Sequence, residues 1–515
     1  MTGEHLVVVG GGVAGCSAAL EAARLGLTVT LIDEHPQNLQ AMSVDAPFFY
    51  GARLAAVLDD ESVVSERVLG SNDLLLECLE AGVEILTSTC CWGNFIPGPN
   101  NVNLKSAQLG VADAQRSWLL DYDRLILSPG SRDLVLSFPG WNLPGVLGSN
   151  GAAALLSRYE ALSGNRMVIL GSGNVGLRMA SMALARGVEV AAVVEVASEI
   201  RGDSALAAEL SRAGVPFLLS HTIERVLGEQ EVRSIRILEV EASLQPIPST
   251  QRDIECDTVC MAFGVVPNVE LASVSGCVIA FDEARGGWAP KVDEEFRTSV
   301  PFIQVVGDAA GTLENMHLAP QVAAQQGQLA ARSIARELGL SDDLQEKAST
   351  SLEHNPLWSS AQAWLTSLVA AGGMDVILCQ CEDVTRRELL DVSPPKYLGA
   401  GNMRTCGGVA MLSECGRNSQ DLIKRLTRVG MGHCQGRRCR DHALMLMAEA
   451  TRTDLARMVP GSFRVPVRPL PLSVLWADDE TGEAKRTWPI WLHPVEDGAP
   501  GYASAKAAET DRAKR

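Results

Sequence analysis

A run of valines that ends in glycines, Val7-Val8-Val9 and then Gly10-Gly11-Gly12-Val13-Ala14-Gly15, constrains this chain more than any other stretch. In Gly10-x-Gly12-x-x-Gly15 the glycines permit a tight turn from strand to helix. They also let backbone N–H groups approach a pyrophosphate, whose charge a helix N-terminus favours. An Ala-rich helix follows (Ala18 to Leu25), and a second strand, Thr28 to Ile32, ends at Asp33-Glu34. A carboxylate there accepts hydrogen bonds from ribose hydroxyls. The order predicts a βαβ half of a dinucleotide fold; the bland alternative is a merely tight strand–helix turn.

The pattern recurs. Met167 to Leu170 runs into Gly171-Ser172-Gly173-Asn174-Val175-Gly176, a helix extends to about Ala185, and a strand from Val188 to Val194 ends at Glu195. Here the acid comes one residue late, since Val194 holds the place corresponding to Asp33. A carboxylate near the ribose repels a 2′-phosphate, so this loop suits NADH or another adenine nucleotide better than NADPH. The alternative is an inherited fold whose pocket has lost its cofactor. Between the loops, Tyr122 to Ser131 reads as a strand closing on a turn, and Phe138-Pro139-Gly140 as a crossing between domains.

The first loop alone does not separate FAD from NAD. Gly307-Asp308 does more: an Asp at a strand end, before small residues and a helix over about Pro320 to Glu337, suits the ribityl chain of a flavin. A plain helix N-cap is the competing account of Asp308. His317 lies after that turn, where it could face the flavin.

Two cysteine pairs follow near the C-terminus, Cys379-Gln380-Cys381 and Cys434-Gln435-Gly436-Arg437-Arg438-Cys439. Four soft thiolates in two close pairs suit an iron–sulfur cluster or a zinc ion, and only the cluster moves electrons. Lys424, Arg425, Arg428, Arg437 and Arg438 flank the pairs and would offset a cluster's negative charge; a solvated basic face is the plainer account. Cys406 and Cys415 lie between the pairs and are alternative ligands. Cys90-Cys91 and Cys16 form no C-x-x-C and read as small buried residues. No Ser/His/Asp triad or carboxylate pair follows from spacing, so no catalytic residue is assigned.

The chain has 515 residues, 46% hydrophobic and 21% charged, enough for about three domains and large cores. A formal net charge of −18 argues against binding to nucleic acid or an anionic membrane surface. No basic leader segment and no membrane-spanning run is read, which predicts a cytosolic (cytoplasmic) chain whose thirteen Cys are reduced or metal-bound.

The cysteine segment resembles bacterioferritin-associated ferredoxin. In that family a C-x-C and a later close pair ligate one [2Fe–2S] cluster, which implies ligand roles for Cys379, Cys381, Cys434 and Cys439. The chain as a whole, from about Leu6 to Leu472, is similar to the larger subunit of octopine and nopaline oxidases, D-hydroxyproline dehydrogenase and hydrogen cyanide synthase. Beside the cysteine module, the strap Phe463-Arg464-Val465-Pro466-Val467-Arg468-Pro469-Leu470-Pro471-Leu472 carries that resemblance most specifically. Relatives have Pro-Gly-Gly-Gln near the flavin where this chain has Pro36-Gln37-Asn38-Leu39-Gln40.

The resemblance implies an electron-transfer role within a hetero-oligomer. The partner would be a glycine- or sarcosine-oxidase-like flavoprotein that oxidises an amine at the C–N bond. There is also a place for FMN at an interface between chains, and for a small ferredoxin-like partner. The competing classes are a self-contained NADH-dependent ferredoxin-reductase-like flavoprotein and a non-catalytic redox sensor. The expected architecture is α/β, with two glutathione-reductase-type Rossmann-like domains. An FAD domain spans 1–145 and 263–340, and a second dinucleotide domain spans 146–262. A linker with helical pieces follows at 341–373, a [2Fe–2S] module at 374–455, and a Pro/Arg-rich strap with a polar tail at 456–515.

Overall fold

The computed structural model describes residues 4–36, 61–98, 101, 104–313, 320–340, 356–398, 407–414 and 419–475. His317, Gln37 to Gln40, Cys406, Cys415 and the polar tail lie outside these residues.

Two five-stranded parallel sheets carry the fold. The first runs Ile303–Val305, Arg124–Leu127, His5–Val9, Thr28–Ile32, Glu84–Leu86. The second runs Phe217–Leu218, Glu189–Val194, Arg166–Leu170, Thr258–Met261, Val146–Gly148. Each has an antiparallel three-stranded companion, one of Cys90–Phe95, Ala107–Ala112 and Ser117–Tyr122, the other of His221–Leu227, Ser234–Glu239 and Arg252–Glu255. The duplicated loops therefore sit in a duplicated architecture. Parallel strands are covered on both faces, so they read as continuous apolar runs rather than alternations; Leu6, Val7, Val8, Leu125, Ile126 and Leu127 are fully buried.

The helix Val13–Arg24 packs against Pro320–Glu337 at backbone distance. A side chain at Gly327 would collide with the carbonyl oxygen of Ala14, so only glycine allows this crossing. Small residues on the first helix (Ala14, Ala18, Ala22) complete the fit.

The stretch expected to be a linker is, over Leu357–Gly372, a single helix in the core of the second half. Trp358, Trp364, Leu365 and Leu368 are buried, and Trp364 lies 5.0 Å from the ring of Phe263. The hydroxyls of Ser359 and Thr366 on this helix donate to carbonyls of their own turn.

The C-terminal module is a short strand pair, Ile377–Cys379 with Val384–Thr385, followed by helices Arg386–Leu390, Gly408–Glu414, Gln420–Thr427 and Arg440–Thr451. A reciprocal Thr385/Glu388 capping box starts the first of these. Its first residue, Arg386, is fully buried. The guanidinium donates to the carbonyls of Ser137, Leu368 and Gly373. Burial pulls its pKa down to about 10. One side chain thus ties the module to the interdomain crossing and to the core helix.

Replacing Arg386 by Met keeps the length and removes the donors. At ~1–3 kcal/mol for each buried group left unsatisfied, the urea midpoint of the full chain should fall clearly. Arg387→Met, on the exposed side of the same helix and paired with exposed Asp375, should leave the midpoint close to that of wild type.

Candidate functional site

The first glycine loop opens on a cavity of about 640 Å³, lined by Gly10, Gly12, Asp33, Glu34 and residues from several further segments. That volume lies within the usual ~300–1,000 Å³ of cofactor sites. Gly10 has φ +107° and lies against Ser128; Gly15 lies against the carbonyl of Gly10, and a Cβ at either would overlap those atoms. A Cβ at Gly12 would meet nothing within 4 Å. The two outer glycines therefore hold the turn, and the middle one leaves the floor bare.

Asp33 accepts from Gly11 N at 2.5 Å and from His35 N at 2.7 Å. A carboxylate has about four acceptor sites, so two remain for a ribose. Glu34 instead forms an ion pair with Arg468 of the strap. Gly307–Ala310 is a short turn at the end of the strand Ile303–Val305, and Asp308 accepts from Ser131, a cavity residue, at 2.7 Å. Bare floor, helix N-terminus and strand-end acid fit the adenosine diphosphate half of FAD.

The second loop copies the first in backbone and differs in what surrounds it. Gly171 has φ +108°, Gly176 lies against the Gly171 carbonyl, and Gly173 faces open space. Glu195 is not one residue late. Gly171 N bonds Val194 O as Gly10 N bonds Ile32 O, so Glu195 is the counterpart of Asp33. The extra residue is absorbed by a bulge: Met167 pairs with Val190 and Val168 with Ala192, which leaves Ala191 unpaired.

That acid is fully engaged with its own chain, accepting from Ser172 N and Oγ, both at 2.8 Å, and from Ala197 N at 3.0 Å. The cavity beside Gly171 and Gly173 measures about 80 Å³, with Leu357, Ser360 and Trp364 of the core helix on its wall. Leu357 packs directly on Gly264. These residues do not fit a dinucleotide as they stand, and the expectation of NADH there is not supported by the shape of the cleft.

Cys379 and Cys381 meet Cys434 and Cys439 as two pairs, each bridging the two loops. The Cys439 thiol hydrogen-bonds Cys379, and the Cys381 thiol hydrogen-bonds Cys434. The bond from Cys381 pulls Cys434 down to about 5, helped by the backbone N–H groups of Arg438 and Gly436. One thiol of each pair is thereby favoured as thiolate, the form that binds metal. Gly432 lies so close to Cys381 that a Cβ would overlap it, which fixes loop against loop. His433 Nε2 lies 3.7 Å from Cys381 Sγ. Among the described residues, no three His, Cys, Asp or Glu side chains are gathered as ligands of one metal ion. The two pairs supply four thiolates, the donor set of a [2Fe–2S] cluster and also of a tetrahedral zinc site.

Of the flanking cations, Arg428 pairs with Glu382 at 2.6 Å, Lys424 with Asp421 at 3.6 Å, and Arg438 bonds Gln380 at 2.5 Å. The C-terminal module also reaches the first fold, through contacts that spacing does not reveal. Arg132 donates to Asp441 at 2.8 Å, to Glu270 at 3.2 Å, and to the carbonyls of Pro267 and Arg437. Burial opposes the charge on Glu270, but Arg132 and Arg440 outweigh it and hold the carboxyl below its usual range. The strap lies on its own chain: Val467 N bonds Trp92 O at 2.7 Å, and Gln435 donates to Pro466 O at 2.7 Å. Behind the glycine loop, the buried Cys78 thiol donates to the carbonyl of Cys16 at 3.3 Å and the Cys16 thiol to that of Gly11 at 3.2 Å.

A family model for pyridine nucleotide-disulphide oxidoreductases matches residues 4–327, and one for the sarcosine oxidase A3 domain matches 409–479. An opine oxidase subunit of Agrobacterium tumefaciens is 25% identical, over 91% of this chain and 91% of its own length. Hydrogen cyanide synthase subunit HcnB of Pseudomonas aeruginosa is also 25% identical, over 91% of this chain and 97% of that protein. Both are homologues of this chain. The crystal structure of L-proline dehydrogenase from P. horikoshii shares the fold, with a TM-score of 0.59, 20% identity, and coverage of 92% of this chain and 79% of that one.

The glycines separate fold from ligand. Gly12→Ala has room for its methyl, so the thermal midpoint of the flavin-free protein should match that of flavin-free wild type while flavin retention falls severalfold. Gly15→Ala should lower the midpoint itself, because its methyl overlaps the backbone of Gly10. Circular dichroism melts and the flavin released on denaturation read the two effects.

Proposed function

The chain belongs to the pyridine nucleotide-disulphide oxidoreductase family, and from that premise we propose that it is the flavin and iron–sulfur electron-transfer subunit of a multi-subunit amine or amino-acid dehydrogenase. A glycine- or sarcosine-oxidase-like flavoprotein would oxidise the C–N bond of an opine, imino acid or glycine, and this chain would carry the electrons away. The observation that carries the reading is the shared wall. The loop between Cys434 and Cys439 contributes Arg437 to the cavity of the first glycine loop, so a flavin in that cavity and a cluster on those cysteines would adjoin within one chain. A flavin accepts electrons in pairs and yields them singly, and a [2Fe–2S] cluster carries one at a time. The similarity to subunits of opine oxidase and hydrogen cyanide synthase supports an assembly of several chains.

The chain's own residues prepare this role. Gly10, Gly12, Gly15, Asp33 and Asp308 hold FAD; Cys379, Cys381, Cys434 and Cys439 hold the cluster. Gly171, Gly173, Gly176 and Glu195 keep a strand–helix turn in shape and have no part in the relay. Among the described residues no helix is long and apolar enough to cross a membrane.

Protein purified without air should contain about two irons and two acid-labile sulfides per chain, as one such cluster requires. Cys434→Ser should lose most of both. Stoichiometric zinc without sulfide, in protein made with ample iron, would overturn the cluster.

The relay is tested with an artificial acceptor dye, comparing the isolated chain with the complex recovered from its native cell. Imino acids, opines or glycine should reduce the dye through the complex and not through the chain alone. NADH should drive neither. Amine turnover by the chain alone at the rate of the complex would defeat the relay reading, and dye reduction by NADH would replace it with a self-contained reductase.

A further inference from the structure

Arg437 lies between two of the four cysteines, yet it also lines the cavity of the first glycine loop. Among the described residues its guanidinium makes one hydrogen bond, a 3.3 Å contact with the carbonyl of Cys434. A guanidinium has five N–H donors in a planar fork, so most of them are free to bind another group. The acids within electrostatic reach, Glu34 and Glu270, are already committed. Glu34 pairs with Arg468, and Glu270 with Arg132 and Arg440. The position of Arg437 is nonetheless firmly set. Its carbonyl accepts from Arg132 Nε at 3.2 Å, and nearby Gln435 is held by Pro466. A half-buried cation with spare donors, carried on a held backbone and lining a cavity, is a receptor for an anion.

The surroundings indicate which anion. Arg437 shares the cavity with Gly12, where the floor is bare, and with Asp33, the strand-end acid at the ribose. A dinucleotide held on this loop brings one anionic group into that cavity, its pyrophosphate. We propose that Arg437 binds the phosphate oxygens of the dinucleotide, so that the cysteine loop is itself part of the cofactor site. This rests on the reading of the first fold as an FAD site.

Sequence spacing hides this arrangement, because Arg132 and Pro466, which fix the loop, lie far from the glycines of the first fold and from each other along the chain.

The test uses the full chain with its cluster. FAD dissociation is read from recovery of flavin fluorescence on dilution, ADP affinity from displacement of FAD, and iron and sulfide are measured on the same samples. Arg437→Gln should loosen both FAD and ADP about tenfold or more, the scale of a lost charged hydrogen bond, with iron and sulfide unchanged. Arg437→Lys keeps the charge without the fork and should recover part of the affinity. Unchanged FAD and ADP affinity in Arg437→Gln would overturn this inference and leave the flavin reading intact. Wild-type protein that binds neither FAD nor ADP would overturn both. Equal loosening in the Gln and Lys variants, with iron lost from each, would assign Arg437 a purely structural role and overturn it as well.

Discussion

The architecture depends on one guanidinium. Arg132 stands just after the strand Arg124–Leu127 of the first sheet and gathers acceptors from three places: Pro267 and Glu270, the carbonyl of Arg437, and Asp441. Removing such charges from water is costly, and the pairs recover that cost only if the geometry is complete. It is complete around Arg132, whose side chain is 12% exposed and carries two ion pairs besides its bonds to carbonyls. Taking away Asp441 or Glu270 would leave a buried cation short of a partner, which is the expensive failure. The cysteine module is therefore attached to the first fold by a contact that tolerates little displacement. That rigidity is what lets a loop of one unit serve as the wall of another.

The sequence was legible where local chemistry decides structure. The strand Thr28–Ile32 and the helix Pro320–Glu337 have the bounds their residues suggest, because glycines, a proline and apolar runs punctuate them. The two glycine loops could be located to the residue. Their fates could not. Whether a loop opens on a 640 Å³ cavity or an 80 Å³ one depends on a helix much further along the chain, Leu357–Gly372. Residue counting failed at Glu195 for a similar reason. A bulge at Ala191 changes the length of the strand without changing where its end lies, and nothing in the run Glu189–Val194 marks it. The stretch expected as a linker with helical pieces holds the helix Leu357–Gly372, whose burial in the core depends on partners elsewhere in the chain, such as Phe263.

The candidate site shows the same division. Cys379, Cys381, Cys434 and Cys439 could be named from spacing, and the structure brings the pairs together. Arg437 could be noticed only as one of several flanking cations. Its place on the cavity wall is set by Arg132, and by Gln435 on Pro466 of the strap, contacts that no local pattern announces. The Pro/Arg-rich strap carries no local mark of the surface it lies on. In the structure it lies on its own chain, through Val467 on Trp92 and Arg468 on Glu34.

The Glu34–Arg468 pair joins residues 434 positions apart. A ribosome releases the first glycine loop early, and N-terminal units begin to fold while the rest of the chain is still being made. The cavity wall, however, is built in part from Arg437, Val467 and Arg468. A nascent chain shorter than this has the glycine loop without part of the wall that faces it. The cavity is complete only once the last of these residues has been made, so a truncated product has the turn and not the whole site.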